Sequence, residues 1–543
     1  MSMSPFCDVT TWEEFSYGHF RDPDPTTPDE GRTGCCARGR TEKEQEIWSF
    51  SSKPLGKALL RTVAADRQLC QDAVTMFTDI LLYSARKSLK DVSEDTRLVE
   101  HIFRQVIKRE SLQDELYCQL VKQLTNNKKR SNEDRCWELL WLCAGCFPCS
   151  QPLRFHVTSF LLHKRRSPLA RDCLLRLERT VQLGNRRSPP HPLELHTVQK
   201  KSGSWGQIVI LPDKSTVAIA VESSSRGGDL CLDVTNKLGL KTIGGISLYC
   251  RVADKVVSIP HGEYYFDFLC SIRPLAEWLS SEVSSNWREH AEYDLLFRRK
   301  VWTDVMVGED SVADMRMHFF QELESFLSGH HKCSKSEAVQ LAAYLYRVRF
   351  GQAGFELHDD KKTAEVLKDL IPRDLLQIEP PEHWKQDIVA TFNRHAGLNR
   401  DDAKLAFLRH VSTWPTFGSA FFHIERHDYR KYPEKLMAAV NRRGLMFMDQ
   451  NSKNTIVSLA FDEVETSGDT RHLWVTGNGL ENTWQLTTSA VGGAYDSPTA
   501  TNPPSLHSLH NILPILYHMI HIWGDFELSF SFFSLYRHLR STT

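Results

Sequence analysis

A chain of 543 residues that is 41% apolar has room for roughly three to four domains of about 150 residues and is too apolar to be disordered in bulk. Its 67 Lys and Arg nearly cancel its 68 Asp and Glu, so no whole-chain field favours nucleic acid and any basic surface must be local. Fourteen cysteines are too few for a disulfide scaffold, the polar first residues lack a signal region, and no uncharged apolar run reaches about 18 residues. Free thiols, a cytoplasmic setting and no transmembrane segment are expected.

Residues 1–43 read as a loosely ordered linker arm rich in Pro, Asp, Thr and Gly, with Trp12 to Tyr17 as a small anchor. Residues 44–188 read as an all-α domain of six or so helices. Helical spacing aligns Ala73, Phe77, Ile80 and Leu81, then Leu98, Ile102 and Val106, then Leu116, Leu120, Val121 and Leu124. Ser111 and Asp114 have capping-box spacing at the start of the third helix. Trp137 and Trp141 lie one turn apart on the next, Leu153–His163 and Pro168–Leu183 follow, and Gly184 and Pro189-Pro190 end the block.

Residues 189–290 change to strands at 208–211, 217–221, 246–252 and 256–259 with a helix over 230–238, an order that suggests a ubiquitin-like unit. Residues 291–415 return to helix. Ser334 and Glu337 form a good capping box there, and Arg298-Arg299-Lys300 reads as helix surface. Residues 416–482 alternate as an incomplete β-meander, half of a barrel or sandwich. Residues 483–543 form an atypical tail. It reads as unstructured, with a substitute helix carrying Ile512, Ile515, Leu516, Met519, Ile520 and Trp523, or a membrane span, as alternatives.

Cys136, Cys143, Cys146 and Cys149 could supply four thiolates to zinc. However, Cys136 and Cys143 are two turns apart on an apolar helix, about 11 Å along its axis, and one ion cannot take both. Buried apolar thiols are the better reading. Gly56-Lys57 lacks the rest of a phosphate loop, and no kinase or phosphatase signature appears. No enzyme activity, metal or cofactor is therefore expected. The remaining candidates are three basic clusters: Lys128-Lys129-Arg130, Lys164-Arg165-Arg166 and Arg186-Arg187. Each alone reads as a solvated loop. If all converge on one face, they would take an acidic partner, whether a cargo tail, a microtubule or anionic lipid.

Several strings, among them Trp137-Glu-Leu-Leu-Trp-Leu142, Leu116-Tyr-Cys-Gln-Leu120, Tyr265-Phe-Asp-Phe268 and Trp414-Pro-Thr-Phe-Gly-Ser-Ala-Phe-Phe422, resemble a myosin tail homology 4 domain followed by a FERM domain. They look most like the C-terminal tandem of a class VII unconventional myosin, and Glu13 to Phe20 resembles its lead-in. The resemblance implies an α+β multidomain fold: an all-α helical bundle, then a three-lobed FERM domain with ubiquitin-like, helical and pleckstrin-homology-like lobes. It implies a non-catalytic tail that binds scaffold or adaptor proteins through peptide grooves in actin protrusions such as microvilli or stereocilia. A membrane–cytoskeleton linker holding phosphoinositide is the alternative. The motor is absent from the sequence, so a fragment or tail-only product is expected.

Overall fold

The structure is a computed structural model. It describes residues 12–22, 47–86, 92–164, 167–241, 243–252, 255–272, 293–300, 302, 305–352, 360–427, 433, 435–461, 464–468, 473–477 and 484–488. Two compact units emerge. One comprises Met1–Gln207, Ala220–Arg226 and Gly262–Pro274; the other comprises Ile208–Ile219, Gly227–His261 and Leu275–Thr543.

The first unit opens with α1 (Trp12–His19), and the arm is docked here rather than loose. Trp12 donates its indole N–H to Trp48 O at 3.1 Å, Trp12 and Phe15 stack, and Phe20 bridges to Leu60. Three buried aromatics in nine residues give this short helix the packing that a free arm would lack. The bundle follows as α2 (Arg61–Ala65), α3 (Arg67–Ala85), α4 (Val92–Val106), α5 (Glu110–Leu124), α6 (Arg130–Cys146), α7 (Gln151–His163) and α8 (Pro168–Leu183). Gly184, at φ +88°, ends α8 as expected. Helix α9 (Pro192–Gln199) lies past the expected boundary at 188, yet Leu195 and Val198 belong to the bundle's core. The Ser111 box is not formed. Helix α5 starts at Glu110 without a side-chain cap, and Asp114 instead accepts from Ser150 N at 2.7 Å.

Helix α6 is the bundle's centre. Trp137, Leu140, Trp141, Cys143 and Cys146 are all buried, so it is apolar nearly all round. Burial pushes the Cys136 and Cys149 thiols up to about 12 and Cys143 and Cys146 higher still, which makes them inert packing groups.

The ubiquitin-like sheet contains β1 (Trp205–Ile210), β2 (Thr216–Val221), β3 (Ile246–Val252), β4 (Lys255–Ser258) and β5 (Asp294–Arg299), in the order β2-β1-β5-β3-β4. Helix α10 (Gly227–Leu238) buries Leu230, Cys231 and Val234. Strand β5 runs parallel to β1 and antiparallel to β3. This corrects the helical reading of 291–300: Leu295, Phe297 and Arg299 alternate inward, and Arg299 is buried, donating to His318 Nε2 at 2.8 Å.

In the second unit, α11 (Ser311–Ala313), a π-helical turn (Asp314–His318) and α12 (Phe319–Leu327) lead into α13 (Lys335–Phe350), α14 (Asp360–Lys368), α15 (Pro381–Arg394) and α16 (Arg400–Val411). Their core holds Phe326, Leu341, Trp384, Ile388 and Phe407. The Ser334 capping box forms as expected. The third lobe has β6 (Ala420–His427), β7 (Leu436–Asn441), β8 (Gly444–Asp449), β9 (Thr455–Leu459), β10 (Val464–Gly468), β11 (Leu473–Gly477) and β12 (Trp484–Thr488). They form one seven-stranded sheet, β10-β11-β12-β6-β7-β8-β9, in which β6 pairs with both β7 and β12. Among the described residues the lobe therefore carries seven strands, and the expected break at 483 falls just before β12. The rest of the tail, including the stripe from Ile512 to Trp523, lies outside the described residues. No helix among the described residues is long and apolar enough to cross a membrane.

Candidate functional site

The basic clusters do not form one surface. Three chain segments meet at the C-terminal end of α5. Phe50 N donates to Thr125 O at 2.9 Å, and the Gln123 amide clamps both Ser51 N and Ser51 O at 3.0 Å. From the far side, Lys164 Nζ reaches Leu124 O at 3.1 Å. The loop between α5 and α6 is itself fixed. Asn126 takes φ +56°, and the Asn127 carbonyl oxygen accepts from Lys129 N at 2.9 Å while its amide reaches Gln123 O. Lys128, Lys129 and Arg130 are thereby presented to solvent, as is Lys53, two residues beyond the clamped Ser51. Among the described residues, no carboxylate pairs with Lys53, Lys128, Lys129 or Arg130. Arg165 and Arg166 lie outside the described residues.

The charge arrangement works against the local helix. Lys129 is the N-cap residue of α6 and Arg130 its first residue, so the cations sit at the positive end of that macrodipole, a cost of about 0.3–1 kcal/mol each at a surface. Glu133 in the first turn and the carbonyl end of α5 offset part of it.

Arg186 and Arg187 are elsewhere. Arg186 N donates to Cys146 O at 2.8 Å, at the opposite end of the 17-residue α6 and so about 25 Å from Lys129. The Arg186 side chain is 0% exposed, which corrects its reading as a partner-binding residue. Its Nη1 donates to both Glu194 oxygens at 2.7 and 2.8 Å, and its Nε donates to Asp267 at 3.0 Å. Asp267 also accepts from Arg187 N and Ser188 N, and Glu194 accepts from His191 N. Arg176 extends the network through Ser223 and lies over the Trp141 ring at 3.3 Å. Burial pushes the Glu194 carboxyl up, but Arg186 outweighs it and holds it below its ordinary range. This cluster locks segments 186–194, 222–226 and 264–267 together; only Arg187 of the doublet is exposed.

Sequence reasoning did not single out Lys53, which gives no sign of its neighbours because the Gln123–Ser51 clamp spans 72 positions. Among the described residues, no group of His, Cys, Asp and Glu could hold a metal ion.

The MyTH4 domain family matches residues 99–197 and the FERM central domain family matches residues 310–422. The human myosin 7b C-terminal MyTH4-FERM domain, solved in complex with the harmonin-a PDZ3 domain, is similar at 30% identity and TM-score 0.75, over 90% of this chain and 96% of that one. The chain belongs to the MyTH4–FERM family of class VII myosin tails. Among curated relatives, Drosophila melanogaster Myosin-VIIa is 36% identical over 490 residues, covering 90% of this chain and 22% of its own length. Mus musculus Unconventional myosin-VIIb is 33% identical over 472 residues, covering 86% and 21%. The MyTH4–FERM chain thus spans about a fifth of the length of these relatives. The basic loop Lys128–Arg130 falls inside the MyTH4 match, as does the buried Arg186.

Proposed function

We propose that this MyTH4–FERM chain is a non-catalytic cargo- and scaffold-binding tail module of an unconventional class VII myosin. It links an actin-based motor to scaffold or adhesion complexes in protrusions such as microvilli or stereocilia, and it is cytoskeleton-associated in the cytoplasm. The observation that carries this is the likeness to the human myosin 7b module, which covers nearly all of that domain and was solved bound to a scaffold's PDZ domain. The cations without carboxylate partners at Lys53 and Lys128–Arg130 support an electrostatic share in partner capture, chiefly in association rate.

The test is titration of the full chain with a harmonin-type PDZ scaffold domain, against Lys128→Glu/Lys129→Glu/Arg130→Glu. Reversal should weaken binding by about tenfold and flatten its salt dependence. Unchanged affinity and salt slope would rule out the basic loop as a contact. The same cations fit a membrane–cytoskeleton linker that binds phosphoinositide or, by charge alone, a microtubule. Pelleting with phosphoinositide vesicles and with microtubules separates these: strong lipid binding without scaffold binding favours the linker.

A further inference from the structure

A second cationic feature lies where the docked arm meets the starts of α2 and α3. Two adjoining cavities, of about 290 and 340 Å3, share Lys57, Ala64 and Ala65 as walls. Arg21, Asp22 and Arg61 complete the first, and Arg67 stands at the second. The lining thus carries four cations and one carboxylate, with Asp66 adjoining Arg67 and the buried Glu115 acting on Arg21 from outside it. The Asp22–Arg61 pair, at 3.7 Å with side chains 94% and 53% exposed, contributes little neutralisation in water. Among the described residues, Lys57 and Arg67 have no carboxylate partner.

The walls are held in place. Glu115, fully buried, accepts from Leu59 N and Leu60 N at 2.8 and 2.9 Å, so the loop that carries Lys57 is pinned from below. Arg21 N donates to Leu59 O at 2.8 Å, which ties the arm to the same loop. The Arg61 guanidinium donates to Tyr17 O and Gly18 O at 3.3 Å, so it lies back along the wall instead of projecting. Arg67 is the first residue of the 19-residue α3, whose N-terminus is capped by Asp66, accepting from Leu69 N at 2.8 Å, so the field there comes from the side-chain cations and not from the helix end. The floor of Ala64, Ala65 and Val74 is small and apolar, suited to the aliphatic stems of glutamates.

We propose that this trough binds a short, extended acidic peptide segment. One carboxylate lies against Arg21 and Arg61 and a second against Arg67, with Lys57 between them. The small apolar floor between spaced cations fits the stems and carboxylates of an extended chain, and Arg61, drawn back onto Tyr17 O and Gly18 O, does not project as a contact to a flat lipid surface would. The site is separate from the Lys128–Arg130 loop and does not depend on the scaffold reading.

The test uses the full chain and fluorescence anisotropy of a labelled Glu-Glu-Gly-Glu-Glu peptide at low and high salt. Lys57→Glu/Arg67→Glu should weaken binding by about tenfold or more. Ala65→Trp, which fills the trough without changing charge, should do the same. Lys200→Glu/Lys201→Glu, an equal charge change at exposed lysines elsewhere in the same unit, should leave affinity within about twofold. Should the double reversal fail to fold by circular dichroism, Ala65→Trp against the Lys200/Lys201 control decides alone. The proposal is overturned if the trough variants keep their affinity, if the control loses as much as they do, or if phosphoinositide vesicles bind in a trough-dependent way while the peptide does not.

Discussion

Replacing Arg186 with alanine should destabilise the first unit while leaving its exposed surface unchanged. The guanidinium is fully buried, gives a forked pair of bonds to Glu194 and a third bond to Asp267, and has Phe266 at 5.8 Å. Its removal leaves two buried carboxylates without their cation, and breaking such a pair costs about 3–5 kcal/mol. Both acids keep other donors, Asp267 from two main-chain N–H groups and Glu194 from His191 N and Ser223, so the lower end, about 3 kcal/mol, is expected. The assay is urea unfolding of the full chain followed by tryptophan fluorescence, with Trp137 and Trp141 reporting from this core. At a slope near 3 kcal/mol per molar the midpoint falls by about 1 M. The pH dependence gives a second reading. Glu194 titrates below its ordinary 4.5 in the folded chain, so its stabilisation is present above that pH and lost as acid drives it through the lower folded value. In Arg186→Ala this acid-dependent loss should shrink. A midpoint shift below about 0.3 M, with the acid limb unchanged, would refute the view of Arg186 as a structural cation.

Asp95 joins Arg86 at 2.9 Å and Arg135 at 2.7 Å and accepts from Gln199, so Asp95→Ala removes a buried carboxylate shared by two guanidinium groups, of which Arg135 keeps Glu138, and should cost about 3 kcal/mol in the same urea assay. Glu115→Ala should lower thermal stability by about 2 kcal/mol because it orphans Leu59 N and Leu60 N, whereas Glu115→Gln keeps an acceptor and should lose less. His330 packs on Phe421 at 4.8 Å, with His423 at 6.0 Å, and burial lowers it from 6.5 to about 4. The unfolded chain therefore takes up the proton first. Stability should fall by about 2 kcal/mol as pH drops from 6.5 to 4, and His330→Gln should flatten that limb in pH-dependent melting.

The bundle was legible because its helices are amphipathic and long: the spacing of Phe77, Ile102, Leu116 and Trp141 places each on a buried face. What escaped notice was short or depended on distant partners. Strand β5 has only six residues with charged ends, and its burial comes from β1 and β3, each remote in sequence. Strand β12, Trp484–Thr488, reads as part of a polar tail until its pairing with β6 is seen. Arg186 failed for the same reason. Beside Arg187 in a run that follows a helix it looks like a solvated loop, and nothing local announces Asp267, 81 positions away.

That failure also says which cations can serve a partner. A basic residue is committed to the fold when the fold supplies its carboxylates, as for Arg186 with Glu194 and Asp267, or Arg135 with Asp95 and Glu138. Lys53, Lys57, Arg67 and Lys128–Arg130 are exposed and have no carboxylate partner among the described residues, and they flank the segments pinned to α5 by Gln123 and Glu115. With the chain as a whole near neutrality, their field is local. Partner capture by charge should therefore draw on these exposed cations and not on the buried ones. Reversing Lys128–Arg130 should weaken association while raising stability by up to about 1 kcal/mol per residue at Lys129 and Arg130, because the cations then no longer oppose the helix dipole, and Arg186→Ala should instead lower stability and leave association unchanged.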